Sequence, residues 1–176
     1  REIQLQTRLL GRHNIENIVG VGAYLLERGL VNEAALADGV ASFTGIRRRL
    51  DRLTTRSKIP LVEGFGSSYE KARSAIEAML LHYPDRRLIV VFEPHTFSWR
   101  SRDALEWYET VFDGASEVLI IPPPEHGAES HNQARFEDIL RRSASPGAQV
   151  RGAETDRAVL RVLQELKGDE AVLLLS

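Results

Sequence analysis

From residue 59 onward the sequence alternates between short apolar runs and helical patterns, and this alternation constrains the fold more than any other feature. Strand-like runs occupy residues 59–63, 88–93, 117–121, 149–151 and 171–175. Helical spacing fills 68–83, 102–112, 135–142 and 156–167 between them. Leu88-Ile89-Val90-Val91-Phe92 and Val118-Leu119-Ile120-Ile121 are apolar without a break, as strands covered on both faces must be when neither face meets water. Strands separated by helices build a parallel sheet, because each parallel pair needs a crossover connection. The expected fold is therefore α/β, a doubly wound and mostly parallel sheet. Ser67-x-x-Glu70 reads as a capping box at the start of its first helix.

Residues 1–56 follow a different pattern. Ile3 and Leu5 alternate like the tail of a strand, and residues 11–14 read as a turn into a helix. Ile15, Ile18, Val19, Leu25 and Leu26 then recur at helical spacing, with Gly29 as the C-cap. A second helix is expected over 32–42, with Asn32 as N-cap and Ala35, Leu36 and Val40 inward. The polar segment 54–58 separates the two patterns, which gives expected units of 1–56 and 57–176. A length of 176 residues suits one domain with a piece attached. The chain opens on Arg1 and stops at Ser176 directly after an apolar run, so a piece of a longer protein is expected.

Composition removes several classes of function. Lys and Arg total 23 against 25 Asp and Glu, for a net charge of −2, which argues against phosphate-backbone binding. The run Arg47-Arg48-Arg49 with Arg52 is too short to reverse that and reads as a solvated face. The absence of cysteine excludes disulfide scaffolds, thiolate catalysis and cysteine zinc sites. No apolar run approaches the ~20 residues of a membrane span, and no signal peptide is present. The expectation is a cytoplasmic protein with no nucleic-acid and no membrane partner.

Ligands of such sheets bind beyond the carboxyl ends of the strands, which selects the loops 64–68, 94–101, 122–132 and 152–155. The turn Gly64-Phe65-Gly66-Ser67-Ser68-Tyr69 lacks the third glycine of the dinucleotide fingerprint. Ordinary turn use of the glycines is favoured, and an NAD(P)-binding domain stays as an alternative. His95, Phe97, Trp99, Arg100 and Arg102 share the next loop, and their arginine forks suit carboxylates or phosphates. Glu125-His126-x-x-Glu129-x-His131 fits no metal-ligand spacing, so a polar surface loop and no metal site are expected. Neither G-x-S-x-G nor the phosphate loop G-x-x-x-x-G-K-[ST] occurs, and no catalytic residue stands out.

Two motifs carry a family resemblance. Gly11-Arg12-His13-Asn14-Ile15-Glu16-Asn17 and Phe43-Thr44-Gly45-Ile46-Arg47-Arg48-Arg49-Leu50 resemble the paired G-x-H-N-x-x-N and F-x-G-[VIL]-x-x-R segments of the Mur ligases. These are the ATP-dependent amide ligases of peptidoglycan assembly. Arg87 to Pro94 adds to the likeness, which covers essentially the whole chain and is nearest the murein tripeptide ligase branch, with the UDP-N-acetylmuramate–L-alanine ligase branch close by. The resemblance implies that 1–56 end a central ATPase domain and that 57–176 form a Rossmann-like C-terminal domain. It implies ATP contacts at Asn14 and Asn17 (adenine), Arg49 (phosphates) and Glu63. It places the incoming amino acid or peptide at His95, Arg100, Ser67 and Ser68. Asn14 and Asn17 stand three apart on one helical face, so both amides can meet one planar partner. Where the family has D-D-[YF]-[AG]-H-H-P-T, this chain has Glu63-Gly64-Phe65-Gly66-Ser67-Ser68-Tyr69-Glu70.

The implied reaction forms an acyl phosphate from a UDP-muramyl carboxylate and ATP, which the amine then attacks. ATP and Mg²⁺ would serve the full-length protein, with neither held by this portion alone. The remaining N-terminal and central domains of the same chain are the implied partners. Without a phosphate loop the isolated portion is expected to be inactive. A non-catalytic Mur ligase homologue that binds a cell-wall precursor is the further alternative, motivated by the changed D-D-x-x-H-H residues.

Overall fold

Five expected strands come together in one sheet, and a short unexpected strand extends its edge. The computed structural model describes residues 2–123, 132–144 and 147–176. The strands are β1 (Asp51–Arg52), β2 (Leu61–Gly64), β3 (Arg87–Phe92), β4 (Glu117–Ile120), β5 (Gln149–Gly152) and β6 (Glu170–Leu175). Their order is β1-β2-β6-β3-β4-β5. β2, β6, β3, β4 and β5 run parallel, and β1 pairs antiparallel with β2, Asp51 opposite Glu63. The mostly parallel α/β expectation holds.

Helices α3 (Tyr69–His82), α5 (Phe136–Arg142) and α6 (Asp156–Gln164) lie between the strands as expected, within a residue or two at most ends. Side chains on successive strand residues point to opposite faces, and they fill two apolar layers. Val62, Val90, Phe92, Ile120 and Leu173 pack with Ala72, Ile76 and Met79 of α3, Ile139 of α5 and Tyr108. Ile89, Val91, Leu119 and Val172 pack on the other face with Val159 and Val162 of α6. Phe92 is the centre of an aromatic group, edge-on to Trp99 at 4.9 Å and to Phe112 at 5.4 Å between ring centroids.

Upstream, α1 (Arg12–Glu27) and α2 (Glu33–Ser42) form a helical pair. Leu36 of α2 fills the space at Gly22, where a Cβ would be 3.2 Å from Leu36 Cδ2. Gly29 follows the Arg28 cap at φ 63°. There Gly29 N–H donates to Leu26 and Leu30 N–H to Leu25, the paired bonds of a Schellman ending. Asn32 caps α2 as expected, accepting from Ala35 N–H at 2.9 Å.

Several local expectations change. Residues 2–10 alternate in exposure, with Ile3 and Leu5 half-buried, but form no strand, because no neighbouring edge among the described residues supplies a ladder. The helix expected from Asn14 starts earlier, at Arg12, with Gly11 as N-cap, so residues 12–14 are its first turn. The α3 cap is Ser68 rather than Ser67, which moves Glu70 out of the capping-box position; the Ser68 hydroxyl donates to the Glu70 carboxylate at 2.9 Å. The helix expected over 102–112 is a one-turn helix α4 (Phe97–Arg100) followed by a 3-10 helix (Arg102–Glu109). Burial of Trp99 and Tyr108 holds this segment tightly against Phe92. No described helix is long and apolar enough to cross a membrane.

Glu170, at the start of β6, is buried and accepts from Gly168 N–H at 2.9 Å and Lys167 N–H at 3.1 Å. Burial opposes its ionisation, yet the backbone N–H groups of Gly168 and Lys167 outweigh it and hold the carboxyl below the usual carboxylate range. A carboxyl whose folded value is depressed contributes stability above its unfolded value and loses it as the pH falls. Glu170→Gln will therefore lower stability at pH 7, and its difference from wild type will shrink as urea unfolding is repeated towards pH 3. Phe92→Ala will cost about 3–5 kcal/mol by the same measurement. Leu160→Ala, on the exposed side of α6, will stay within about 0.5 kcal/mol.

Candidate functional site

The start of α1 lies against α3, and a cleft of about 280 Å³ opens between them. Asn14 and Asn17 of α1, Arg49, Gly64 and Phe65 after β2, and Glu70, Lys71 and Ser74 of α3 are among its lining residues. Asn14, Asn17 and Arg49, expected as one nucleotide-contacting set, thus meet at one opening. The Asn14 amide is oriented by a 2.7 Å bond from Nδ2 to the Leu10 carbonyl. Arg49 sits between two non-glycine residues in the left-handed region, Arg48 at φ 64° and Leu50 at φ 55°. Each such conformation costs of order 1–2 kcal/mol and persists only where other contacts enforce it. Leu50 is buried in the core beneath the sheet. Arg48 donates from Nε to Glu63 Oε1 at 3.0 Å and from Nη2 to Ser176 Oγ at 2.9 Å.

That contact sets the position of Glu63. Its carboxylate pairs with Arg48, and Glu63 does not line the cleft, whereas the next residue, Gly64, does. Lys71, Glu70 and Ser74 were not anticipated. Lys71 Nζ donates to Ser67 Oγ at 2.8 Å and lies 5.2 Å from the Phe65 ring centroid, a cation–π arrangement. Its own backbone N–H and the Ser68 hydroxyl hold the Glu70 carboxyl below the usual carboxylate range. The signal in the sequence was helical spacing: Lys71, Ser74, Ala75 and Ala78 make one stripe of α3, and its small residues allow α1 close.

Ser67 and Ser68 lie at the start of α3, tied to the loop after β3. Trp99 Nε1 donates to the Gly66 carbonyl at 2.6 Å, and Thr96 and Ser98 hydroxyls donate to the Ser67 carbonyl at 3.1 and 3.3 Å. Trp99 is buried, and its carbonyl accepts from Tyr108 Oη at 2.7 Å; burial pushes the Tyr108 phenol well above its usual range. His95 is exposed, with Nδ1 3.9 Å from Glu93 Oε1, beyond hydrogen-bond reach. Arg100 is half-buried, and its carbonyl accepts from Ala134 N–H. Neither His95 nor Arg100 lines the cleft of Asn14 and Asn17. The segment Glu125, His126, Glu129 and His131 lies outside the described residues.

Gly64 and Gly66 serve packing. A Cβ at Gly64 would lie 2.9 Å from Leu175 Cδ2, and one at Gly66 would lie 3.2 Å from Leu175 Cβ. Amide groups, two cations and one carboxylate around a cleft suit recognition of a heteroaromatic base with an anionic extension. The carboxylates nearby are engaged, Glu63 by Arg48 and Glu70 by Ser68. Among the described residues no group of three or more metal-binding side chains converges.

No protein-family model matches the chain. The UDP-N-acetylmuramate–L-alanine ligase of Desulfitobacterium hafniense (strain Y51) is 34% identical over 110 residues, 62% of this chain and 24% of that protein. The ligase of the same name from Gloeobacter violaceus is 32% identical over 176 residues, 97% of this chain and 37% of that protein. The chain thus spans well under half the length of these relatives. Among solved structures, UDP-N-acetylmuramate–alanine ligase of Thermotoga maritima superposes with a TM-score of 0.70 at 16% identity, over 99% of this chain and 36% of that one. The MurF ligase of Thermotoga maritima, solved in complex with ADP, gives 0.68 at 17% identity, over 99% and 36%. At these identities the structural likeness is one of fold. In sequence and in fold, the chain is a divergent counterpart of the C-terminal portion of the Mur ligases.

Proposed function

We propose that the chain is the C-terminal part of an ATP-dependent amide ligase that acts on UDP-N-acetylmuramate or its peptide in peptidoglycan synthesis or recycling. The observation that carries this reading is the meeting of Asn14, Asn17 and Arg49 with Lys71 and Glu70 at one cleft. The first three come from the unit assigned to 1–56, the end of a central ATP-binding domain, and the last two from the unit 57–176. In this reading the two asparagines hold the adenine edge, and Arg49 reaches towards the phosphates. Ser67, Ser68, His95 and Arg100 face the amine substrate, and Glu63 acts on the ATP side through its pair with Arg48. The acyl phosphate forms on the muramyl carboxylate, with Mg²⁺ and the phosphate loop supplied by the rest of the protein. Catalysis of this kind rests on positioning and charge neutralisation.

The division at 56/57 leaves β1 as a strand by which the first unit joins the sheet of the second. The remaining central and N-terminal domains are the proposed partners of a second groove, about 490 Å³, between α1 and α2. Val21, Leu25, Val40, Phe43 and Ile46 line it, and Val21, Phe43 and Ile46 are exposed. An apolar surface of that kind marks a contact to be covered.

Turnover, variant kinetics and ligand binding check the reading. In the full-length protein, ADP formation will require both a UDP-N-acetylmuramyl acceptor and an amino acid or peptide, whereas the 176-residue chain alone will turn over nothing. The double variant Asn14→Ala/Asn17→Ala will raise KM for ATP about tenfold with little change in kcat, the loss of two neutral hydrogen bonds. Arg49→Ala will lower kcat/KM about ten- to a hundredfold, the range for a charged hydrogen bond. Saturable NAD(P) binding without ATP turnover would replace the reading with a dinucleotide-binding domain. Tight precursor binding without turnover would make the protein a non-catalytic homologue.

A further inference from the structure

One peptide group joins the cleft to a histidine on the far end of α3. The Leu10–Gly11 peptide accepts at its carbonyl from Asn14 Nδ2 at 2.7 Å. At its N–H, the same peptide donates to His82 Nε2 at 3.1 Å. A peptide is planar, with its C=O and N–H held in one rigid unit. The two bonds therefore form a single line, Asn14 amide to peptide to imidazole, in which each bond polarises the next. Gly11 is buried, at φ 88°, and a Cβ there would be 3.0 Å from Ala78 Cβ of α3. The backbone of α1's cap is thus pressed on α3 at the point where His82 holds it.

We propose that His82 is a positioning residue for Asn14, acting through the Leu10–Gly11 peptide, and that protonation of His82 releases this end of α1 and loosens the nucleotide cleft. The chemistry has one sign. Nε2 accepts the Gly11 N–H only with its lone pair free, in the neutral ring. In the imidazolium both nitrogens carry protons, so an N–H would face an N–H. The contact is therefore favoured at higher pH and lost when acidification protonates the ring. The bond carried by the peptide carbonyl weakens with it, and the Asn14 amide loses its fixed orientation.

The neighbouring cleft between α1 and α3 is lined by Arg12, His13, Glu16 and Glu77. Arg12 pairs with Glu16 at 2.9 Å, and Arg73 pairs with Glu77 at 3.0 Å. Beyond α3, Arg86 is bonded to the Gly168 and Glu170 carbonyls. His13 is the second titratable ring, since a Cβ at Gly11 would meet its Cε1 at 2.8 Å, and the experiment must separate it from His82.

The contact itself can be read without any nucleotide. In the 176-residue chain, the protection of the Gly11 amide against hydrogen exchange will fall about three- to tenfold between pH 8 and pH 5.5, the range for one net hydrogen bond. Protection at Val90, in the centre of β3, will not change. His82→Gln places an uncharged acceptor near the Nε2 position and will keep Gly11 protected at both pH values. His82→Phe keeps a ring without the acceptor and will lose the protection at both, while His13→Gln will titrate like wild type. In the full-length protein ADP affinity will follow the same pattern, which is where the inference rests on the nucleotide reading. Failure of the full-length protein to bind ADP at pH 8, with the Gly11 pattern intact in the 176-residue chain, overturns that reading and not the His82 contact. Gly11 protection independent of pH, unchanged in His82→Phe, or made pH-independent by His13→Gln overturns the proposal.

Discussion

β6 is hydrogen-bonded along both edges, to β2 and to β3, and its residues supply both apolar layers. Ala171, Leu173 and Leu175 enter the layer under α3, and Val172 enters the layer under α6. A strand with no free edge and no free face cannot slip, because a shift of one residue would exchange the two sets of side chains. Everything at the carboxyl edge inherits that register. Leu175 packs against the turn after β2, and a Cβ at Gly64 or Gly66 would crowd it, at 2.9 and 3.2 Å. The start of α3 follows from the turn, and the cleft follows from α3.

The loop after β3 is attached to this same turn by side chains rather than by sheet bonds. Trp99, Thr96 and Ser98 all donate to the consecutive carbonyls of Gly66 and Ser67. Three donors on two carbonyls make the turn and the loop one body. Its anchor is the aromatic group of Phe92, Trp99, Tyr108 and Phe112, whose edge-on contacts add to the area buried.

The parallel strands were legible because complete burial writes itself as unbroken apolar runs, as in 88–92 and 118–121. β1 was not, since Asp51 and Arg52 are polar and pair through their backbone alone. The segment 97–109 read as loop then helix because the positions of Trp99 and Tyr108 are set by Phe92, a tertiary contact with no periodic trace. Ile3 and Leu5 carried a true alternation in exposure, yet residues 2–10 form no strand with any described residue. In the site, Asn14, Asn17 and Arg49 were legible through their motifs, and the cleft places them together. Lys71, Ser74 and His82 were not, because their relevance depends on α1 lying across α3, which the Gly11–Ala78 approach decides. Glu63 was legible as a carboxylate at the end of β2, but its pair with Arg48 was not, since nothing local to Glu63 marks a partner fifteen residues upstream.

The place of β6 also bears on the order of events when the chain folds. It is the last of the six strands along the chain and lies between the second and the third. As residues 61–92 leave the ribosome, β2 and β3 have nothing to pair with at their facing edges, and the gap between them is one strand wide. Those edges stay open until some eighty further residues have been made. Pairings over such separations form slowly, and an exposed apolar edge invites association with other chains in the meantime. During that interval the nascent chain depends most on whatever shields Leu88 to Phe92 from its neighbours.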